Sequence, residues 1–342
     1  MAINTKGGTL LGSLKKYGYI LVFLVIYLVY ASASGGLSIA SSMNILRHSA
    51  VIGCVAIGMG LICLTGDIDL SVGSMLALVA GFAVVAFNAT GSIILTLLFA
   101  LVFGALLGFV NGVLVGVVKM PAFIATLATM LIYRSLSQYF CQHLPAELIG
   151  NGSSVYRMSA SIPSYQGLYG FGNGKLGVIP IVGIVLIALA VVFVYVSGFT
   201  KFGKKIYAVG SNAKAAQLAG INVALMRTLV FTLSGVLVGL GAFLWIAMNA
   251  SADPATTGSG YEMYAIASVV LGGVSMAGGR GTFLGVLFGT LSYDVIDKII
   301  IALKMDSLIN NSIKGVILIL VILIQISAPE IRAWFVSHRK SA

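Results

Sequence analysis

Apolar runs of about twenty residues recur along nearly the whole chain, and that pattern leaves few folds open. A helix needs roughly 20 mostly apolar residues to cross the hydrocarbon of a bilayer. Ten stretches qualify, at about 18–37, 46–65, 70–88, 92–118, 122–142, 176–197, 225–249, 260–276, 282–303 and 311–327. With 59% hydrophobic and 8% charged residues, and a mean hydropathy of +1.07, the 342-residue chain cannot be an ordinary soluble globule. The runs are continuous rather than short and alternating, which argues against a transmembrane barrel. The expected fold is an all-α polytopic membrane protein, one domain over 1–342 with a leader at 1–17 and a tail at 328–342.

Glycine is abundant, 42 residues against 6 prolines. In "FGALLGFVNGVLVG", Phe103 to Gly116, the small residues suit helices that pack closely through small faces. No five-plus-five internal repeat, the usual device of alternating access, is visible in the residues.

The net charge of +11 is read by position before it is read as a partner. With the amino terminus inside, ten spans place Lys6, Lys15, Lys16, Lys119, Lys201, Lys204, Lys205, Lys214, Arg227, Arg280, Arg332, Arg339 and Lys340 in or beside cytoplasmic segments, 13 of the 20 basic residues. That asymmetry is the one cytoplasmic loops show, so both termini are expected inside and no nucleic acid is implied. Lys15 to Ala33 imitates a signal peptide and is read as an uncleaved first span. Cys54, Cys63 and Cys141 all fall within spans, so neither a disulfide framework nor a metal cluster is expected.

Two polar segments interrupt the spans. Residues 143–175 lie outside by parity and are too short for a domain with its own ligand cavity, so capture of a solute belongs to another protein. Residues 198–224 lie in the cytoplasm. Asn212 suits an N-cap there, and Ala213, Lys214, Ala215, Ala216, Gln217, Leu218 and Ala219 form a short helix that stops at Gly220. Such a helix is a surface another protein can push on, or an ordinary basic loop.

Acids are scarce, and those at membrane depth are costly, by roughly 2.5 to 3.5 kcal/mol on insertion scales. Asp67 and Asp69 in "LTGDIDLSVGSM" fall at a break between two helices near the cytoplasmic side, with nothing basic near them in sequence. Asp69 or Ser71 can cap the next helix, where a carboxylate also suits the helix dipole; the alternatives are a polar gate or solute path, or a proton relay. Glu262 falls near the outer end of its span, where it caps, pairs with Arg47 or Arg134, or faces a cavity. Asn111, Asn249 and Gln138 can hydrogen-bond a solute or another helix. No phosphate loop, zinc spacing or nucleophile elbow occurs. No catalytic or metal residue is assigned, and no cofactor is expected on this chain.

Several segments, in order, resemble the permeases of bacterial monosaccharide ABC importers of the ribose, xylose and galactose type. They are "NILRHSAVIGCVAIGMGLICLTGDIDLSVGSMLAL" from Asn44, "NGVLVGVVKMPAFIATLATM" from Asn111, "FGKKIYAVGSNAKAAQLAGINV" from Phe202, "LSGVLVGLGAFL" from Leu233, and "GSGYEMYAIASVVLGGVSMAGGRGTFLGVLFG" from Gly258. The resemblance covers roughly 40–325. It implies the type II importer fold, like that of the vitamin B12 importer, and a permease homodimer around one path in the bacterial inner membrane. It also implies a periplasmic binding protein that delivers the sugar and a cytoplasmic ATPase subunit that uses the ATP. The segment 212–223 then resembles the family's coupling helix. Asp69 to Ser74 match the family pattern, whereas Asp67 stands where the family usually has glycine. The alternatives are a branched-chain amino acid permease of the same broad fold, a proton-coupled secondary transporter and a passive facilitator.

Overall fold

In a computed structural model, the described residues are 6–150 and 154–306, with 309, 312–317, 319, 320 and 323. The tail at 328–342, with Arg332, Arg339 and Lys340, lies outside them, as do the first five residues of the leader and much of the stretch at 311–327.

Thirteen helices follow one another among the described residues: α1 (Lys6–Ala33), α2 (Ile39–Leu64), α3 (Val72–Thr90), α4 (Ile93–Gly116), α5 (Ala122–His143), α6 (Ala146–Ile149), α7 (Tyr165–Asn173), α8 (Ile181–Phe199), α9 (Lys201–Ser211), α10 (Ala213–Leu218), α11 (Val223–Asn249), α12 (Tyr261–Leu271) and α13 (Phe283–Ala302). Four two-residue strands, β1 (Tyr156–Arg157), β2 (Lys175–Leu176), β3 (Ile179–Pro180) and β4 (Ser251–Ala252), form two antiparallel pairs, β1 with β4 and β2 with β3. Among the described residues α2, α3, α4, α8 and α11 are long and apolar enough to cross a membrane.

The helices are built inside out relative to a soluble bundle. α4 buries Thr96, Ala100, Gly104, Gly108, Asn111, Gly112 and Gly116 and exposes Ile94, Leu95, Leu98, Phe99, Val102 and Leu106. Water would not tolerate that band of leucine and phenylalanine, and lipid tails do. α2 lies at the centre, buried from Ser49 to Leu64.

α11 packs most extensively on α4. The seam is made of glycine at four-residue steps. A methyl group added to Gly104 would run into the Gly235 carbonyl oxygen, and one on Gly108, Gly112 or Gly116 into those of Phe231, Thr228 or Ala224. The small face read in "FGALLGFVNGVLVG" is this seam.

Two segments depart from the sequence reading. The run at 260–276 is not one long helix: α12 has 11 residues, about 16 Å of rise, and ends at Gly272, after which the chain turns through positive φ at Gly273, Gly278, Gly279 and Gly281. In the polar segment at 198–224 an unforeseen helix, α9, precedes α10; it buries Gly203, Ile206 and Val209 and leaves Lys201, Lys204 and Lys205 on its outer side.

Candidate functional site

α2 stops at Leu64, and the left-handed Gly66 (φ +83°) turns the chain into an extended stretch that reaches α3 at Val72. Irregular backbone among apolar helices must find its own hydrogen-bond partners. Here the Asp67 N–H donates to the Ile62 carbonyl (3.2 Å), the Leu70 N–H to Thr126 Oγ1 on α5 (3.1 Å), and the Ser71 N–H to Asp69 Oδ1 (2.8 Å).

Asp69, Ser71 and Asn111 form one buried cluster. The Ser71 hydroxyl donates to Asp69 Oδ1 (2.6 Å), and the Asn111 amide on α4 donates to Ser71 Oγ (2.8 Å) and, at 3.4 Å, to Asp69 Oδ2. All three side chains are buried, so their hydrogen bonds are strong and costly to lose. The capping expectation is half right. Asp69 holds the turn that starts α3, but the Ser71 side chain caps nothing, being turned toward Asp69 and Asn111. The Asn111 carbonyl oxygen is buried with no partner.

Asp67 answers to a partner the sequence hides. Arg227, at the start of the second turn of α11, places its Nε 3.0 Å from Asp67 Oδ2, and the Thr65 hydroxyl donates to the same oxygen at 3.3 Å. The contact is one of charge, for the Nε–H makes no directed hydrogen bond. Arg227 also lines a cavity of about 580 Å³ with Lys119, Gln217, Gly220, Asn222 and Val223. The ion pair therefore joins the α2–α3 break to α11, and its arginine faces the cavity that Gln217 and Gly220 also line.

α10 forms as its cap predicts. Asn212 Oδ1 accepts the Ala215 N–H at 2.9 Å, Gly220 (φ +82°) ends the turn, and Leu218 is 90% exposed.

Glu262 does not lie at the far end of a full span. The turn after α12 reaches back to the α2 terminus, where the Gly279 N–H donates to the Leu64 carbonyl at 3.0 Å, and Glu262 is only about 14 Å of helix from the residue where that turn begins. It sits beside Gly73, close to the start of α3: a Cβ on Gly73 would meet both Glu262 and the Gly258 carbonyl. Neither expected base forms a contact salt bridge with it among the described residues, although Arg134 lies near enough for the two charges to act on each other. Arg47 is bonded to Asn173, and Arg134 Nη1 donates to the carbonyls of Pro254 (3.0 Å) and Thr257 (2.8 Å), holding the irregular stretch before α12. The amino-terminal ends of α3 and α12 thus meet inside the protein, flanked by Asp69 and Glu262, whose negative charge the helix dipoles favour. Asn249 stays apart, exposed at the end of α11 with its amide on the Trp245 carbonyl. Gln138 enters none of these contacts.

A further polar cluster escaped the sequence reading. α13 carries Tyr293, Asp294, Asp297 and Lys298 inside what reads as an apolar run, at helical spacing. Asp297 Oδ1 holds the Lys314 ammonium at 2.7 Å, and that ammonium lies over the rings of Tyr264 and Tyr293, 4.8 and 5.2 Å from their centroids. The "YDVIDK" stretch was the visible signal.

A family profile described as branched-chain amino acid transport system / permease component matches residues 41–325. The chain belongs to this family. The permease is similar to the ribose import permease protein RbsC of Escherichia coli (strain K12), 35% identical over 314 residues covering 91% of this chain and 93% of that one. It is 33% identical to the ribose import permease protein RbsC of Bacillus subtilis (strain 168), covering 92% and 93%. It is 32% identical to the autoinducer 2 import system permease protein LsrC of Yersinia pseudotuberculosis serotype O:3 (strain YPIII), covering 82% and 76%. No solved structure matches. A permease component moves a solute and does not transform it.

Proposed function

We propose that this permease is the membrane-spanning subunit of an ATP-driven importer that carries a monosaccharide or sugar-like solute across the bacterial inner membrane. The observation that carries this reading is similarity along nine-tenths of the chain to permeases named for ribose import, with autoinducer 2 import permeases also related. In detail, the reading takes ten spans, a type II importer fold, both termini in the cytoplasm and two permeases around one path. A periplasmic binding protein delivers the solute, and a separate ATPase subunit uses the ATP. The ATPase acts on the segment from Asn212 to Gly220, whose exposed Leu218 is the contact available to it. The push reaches Arg227 and Asp67 next, and the Asp69–Ser71–Asn111 cluster beyond them is the frame of the gate.

The test is uptake of labelled ribose, xylose, galactose, arabinose and a branched-chain amino acid in cells lacking the gene and in cells complemented with it. Restored uptake of one sugar, abolished by ATP depletion and indifferent to loss of the proton gradient, is the expected result. Control by the proton gradient alone, with ATP maintained, overturns the reading.

A further inference from the structure

Beside the start of α12 lies a cavity of about 290 Å³, lined by Ser259, Glu262, Met263, Tyr264, Tyr293 and Lys314 among others. Water occupies about 30 Å³ per molecule in the liquid, so the space holds roughly ten waters, the bulk of a single sugar ring. Its lining is of mixed character: a carboxylate and a serine hydroxyl accept hydrogen bonds, an ammonium donates them, tyrosines do either, and methionine and ring carbons supply apolar contact.

We propose that this cavity is a subsite for a neutral polyhydroxylated ring in transit, held by Glu262, Ser259, Lys314 and the two tyrosines. The inference rests on the sugar-importer reading and names where the cargo rests. The lining rules out the simpler ligands. A free cation meets Lys314, which already covers both tyrosine rings and is anchored by Asp297. A free anion meets Glu262, with Asp297 on the far side of the ammonium. A purely apolar solute would cover the carboxylate, the ammonium and the serine without offering any of them a hydrogen bond. A ring that presents hydroxyls, each donor and acceptor at once, suits all the groups without adding charge.

The location agrees. Ser259 and Gly260 belong to the irregular stretch that Arg134 holds in place, and Glu262 lies beside Gly73 at the meeting of α3 and α12. Irregular backbone and helix amino-terminal ends at membrane depth are where transporters expose polar groups to cargo. The Lys314 ammonium is shared with Asp297, so it holds a neutral hydroxyl loosely, as cargo that must leave requires.

Cysteine protection tests this directly. The native Cys54, Cys63 and Cys141 are buried, whereas Met263 is 57% exposed and lines the cavity, so Met263→Cys gives one reactive thiol at its mouth. In membrane vesicles holding the full-length permease, alkylation by N-ethylmaleimide is followed with D-ribose, D-xylose, D-galactose, L-leucine or choline at tens of millimolar. The sugar that the cells import is expected to slow labelling about threefold at twice its dissociation constant, as simple occupancy requires. Glu262→Gln in the same background is expected to keep the unprotected labelling rate, which shows that it folds, and to lose the protection. Labelling that no sugar slows, in a permease whose sugar uptake is intact, overturns the subsite and leaves the importer reading standing. Protection by leucine or choline in place of a sugar overturns it, as does equal protection of a control thiol at Ala40→Cys on the rim of a different cavity. Cells that import no sugar remove the importer reading and the subsite with it.

Discussion

The α4–α11 seam and the meeting point of α3 and α12 are both made of glycine, and they use it in opposite ways. In the seam every glycine is helical, and what matters is the missing Cβ, which lets two backbones touch along Gly104, Gly108, Gly112 and Gly116. At the meeting point Gly73 and Gly258 also touch backbone to backbone, but Gly258 and Gly260, like Gly66 at the end of α2, have φ of +68°, +77° and +83°, a conformation that other residues avoid. The seam uses a single side-chain hydrogen bond among these glycines, from the Thr228 hydroxyl to the Gly112 carbonyl at 3.0 Å. The meeting point needs Asp69, Ser71, Thr126 and Arg134 to satisfy the backbone its breaks set free. A glycine-rich membrane chain therefore has rigid and irregular parts, told apart by whether side chains with hydrogen-bonding groups surround the glycine.

The largest effect is expected where the seam is broken. Gly108→Leu drives a side chain into the Phe231 carbonyl with no flexible neighbour to yield, a cost on the order of 3 kcal/mol; the yield of monodisperse protein should collapse. Gly198→Ala, where a Cβ meets nothing, should leave the yield unchanged, and equal losses would dissolve the contrast between packed and open glycines. Next comes the polar side. Asp69→Ala strands the Ser71 N–H and its hydroxyl and should lower stability by about 2 kcal/mol, read as a fall in the thermal midpoint of purified protein. A midpoint unmoved by Asp69→Ala would mean that the break does not depend on its carboxylate.

The ion pair should be worth less. A double-mutant cycle of Asp67→Gly and Arg227→Gln is expected to give a coupling of about 1 kcal/mol, discounted because the Arg227 side chain is 29% exposed. It should shrink in high salt; a coupling of zero would detach α11 from the break. Smallest in stability is Asn212→Ala, which removes the α10 cap for about 1 kcal/mol of local helix. It should reduce ATP-driven uptake with no change in the thermal midpoint, whereas a drop in both would make α10 part of the frame.

Helices were legible wherever apolar residues ran long enough, and the Asn212 cap was legible because capping is a local event. The end of α12 was not. "VVLGGV" stays apolar past Leu271, and nothing in hydropathy separates a helix from the glycine turn that follows it. Asp67 and Arg227 were each visible, but a pair that far apart in sequence has no register to betray it. Asp294, Asp297 and Lys298 were within reach of reading, at three- and four-residue spacing in a run taken as apolar, and the Lys314 contact shows what that spacing marked. Ser71 was misassigned for a geometric reason: a serine at an N-cap position points its hydroxyl inward once a buried carboxylate two residues back accepts it.

The seam has a mechanical consequence. Two helices that touch backbone to backbone have no interleaved rotamers through which to give, so α4 and α11 behave as one stiff lever. One end of it begins at Asn222, whose side chain accepts the Leu225 N–H at 2.9 Å, just past the exposed helix that ends at Leu218. Torque applied there has little to absorb it along the lever, and the compliance of the molecule is left to the irregular joints at 65–71 and 253–260.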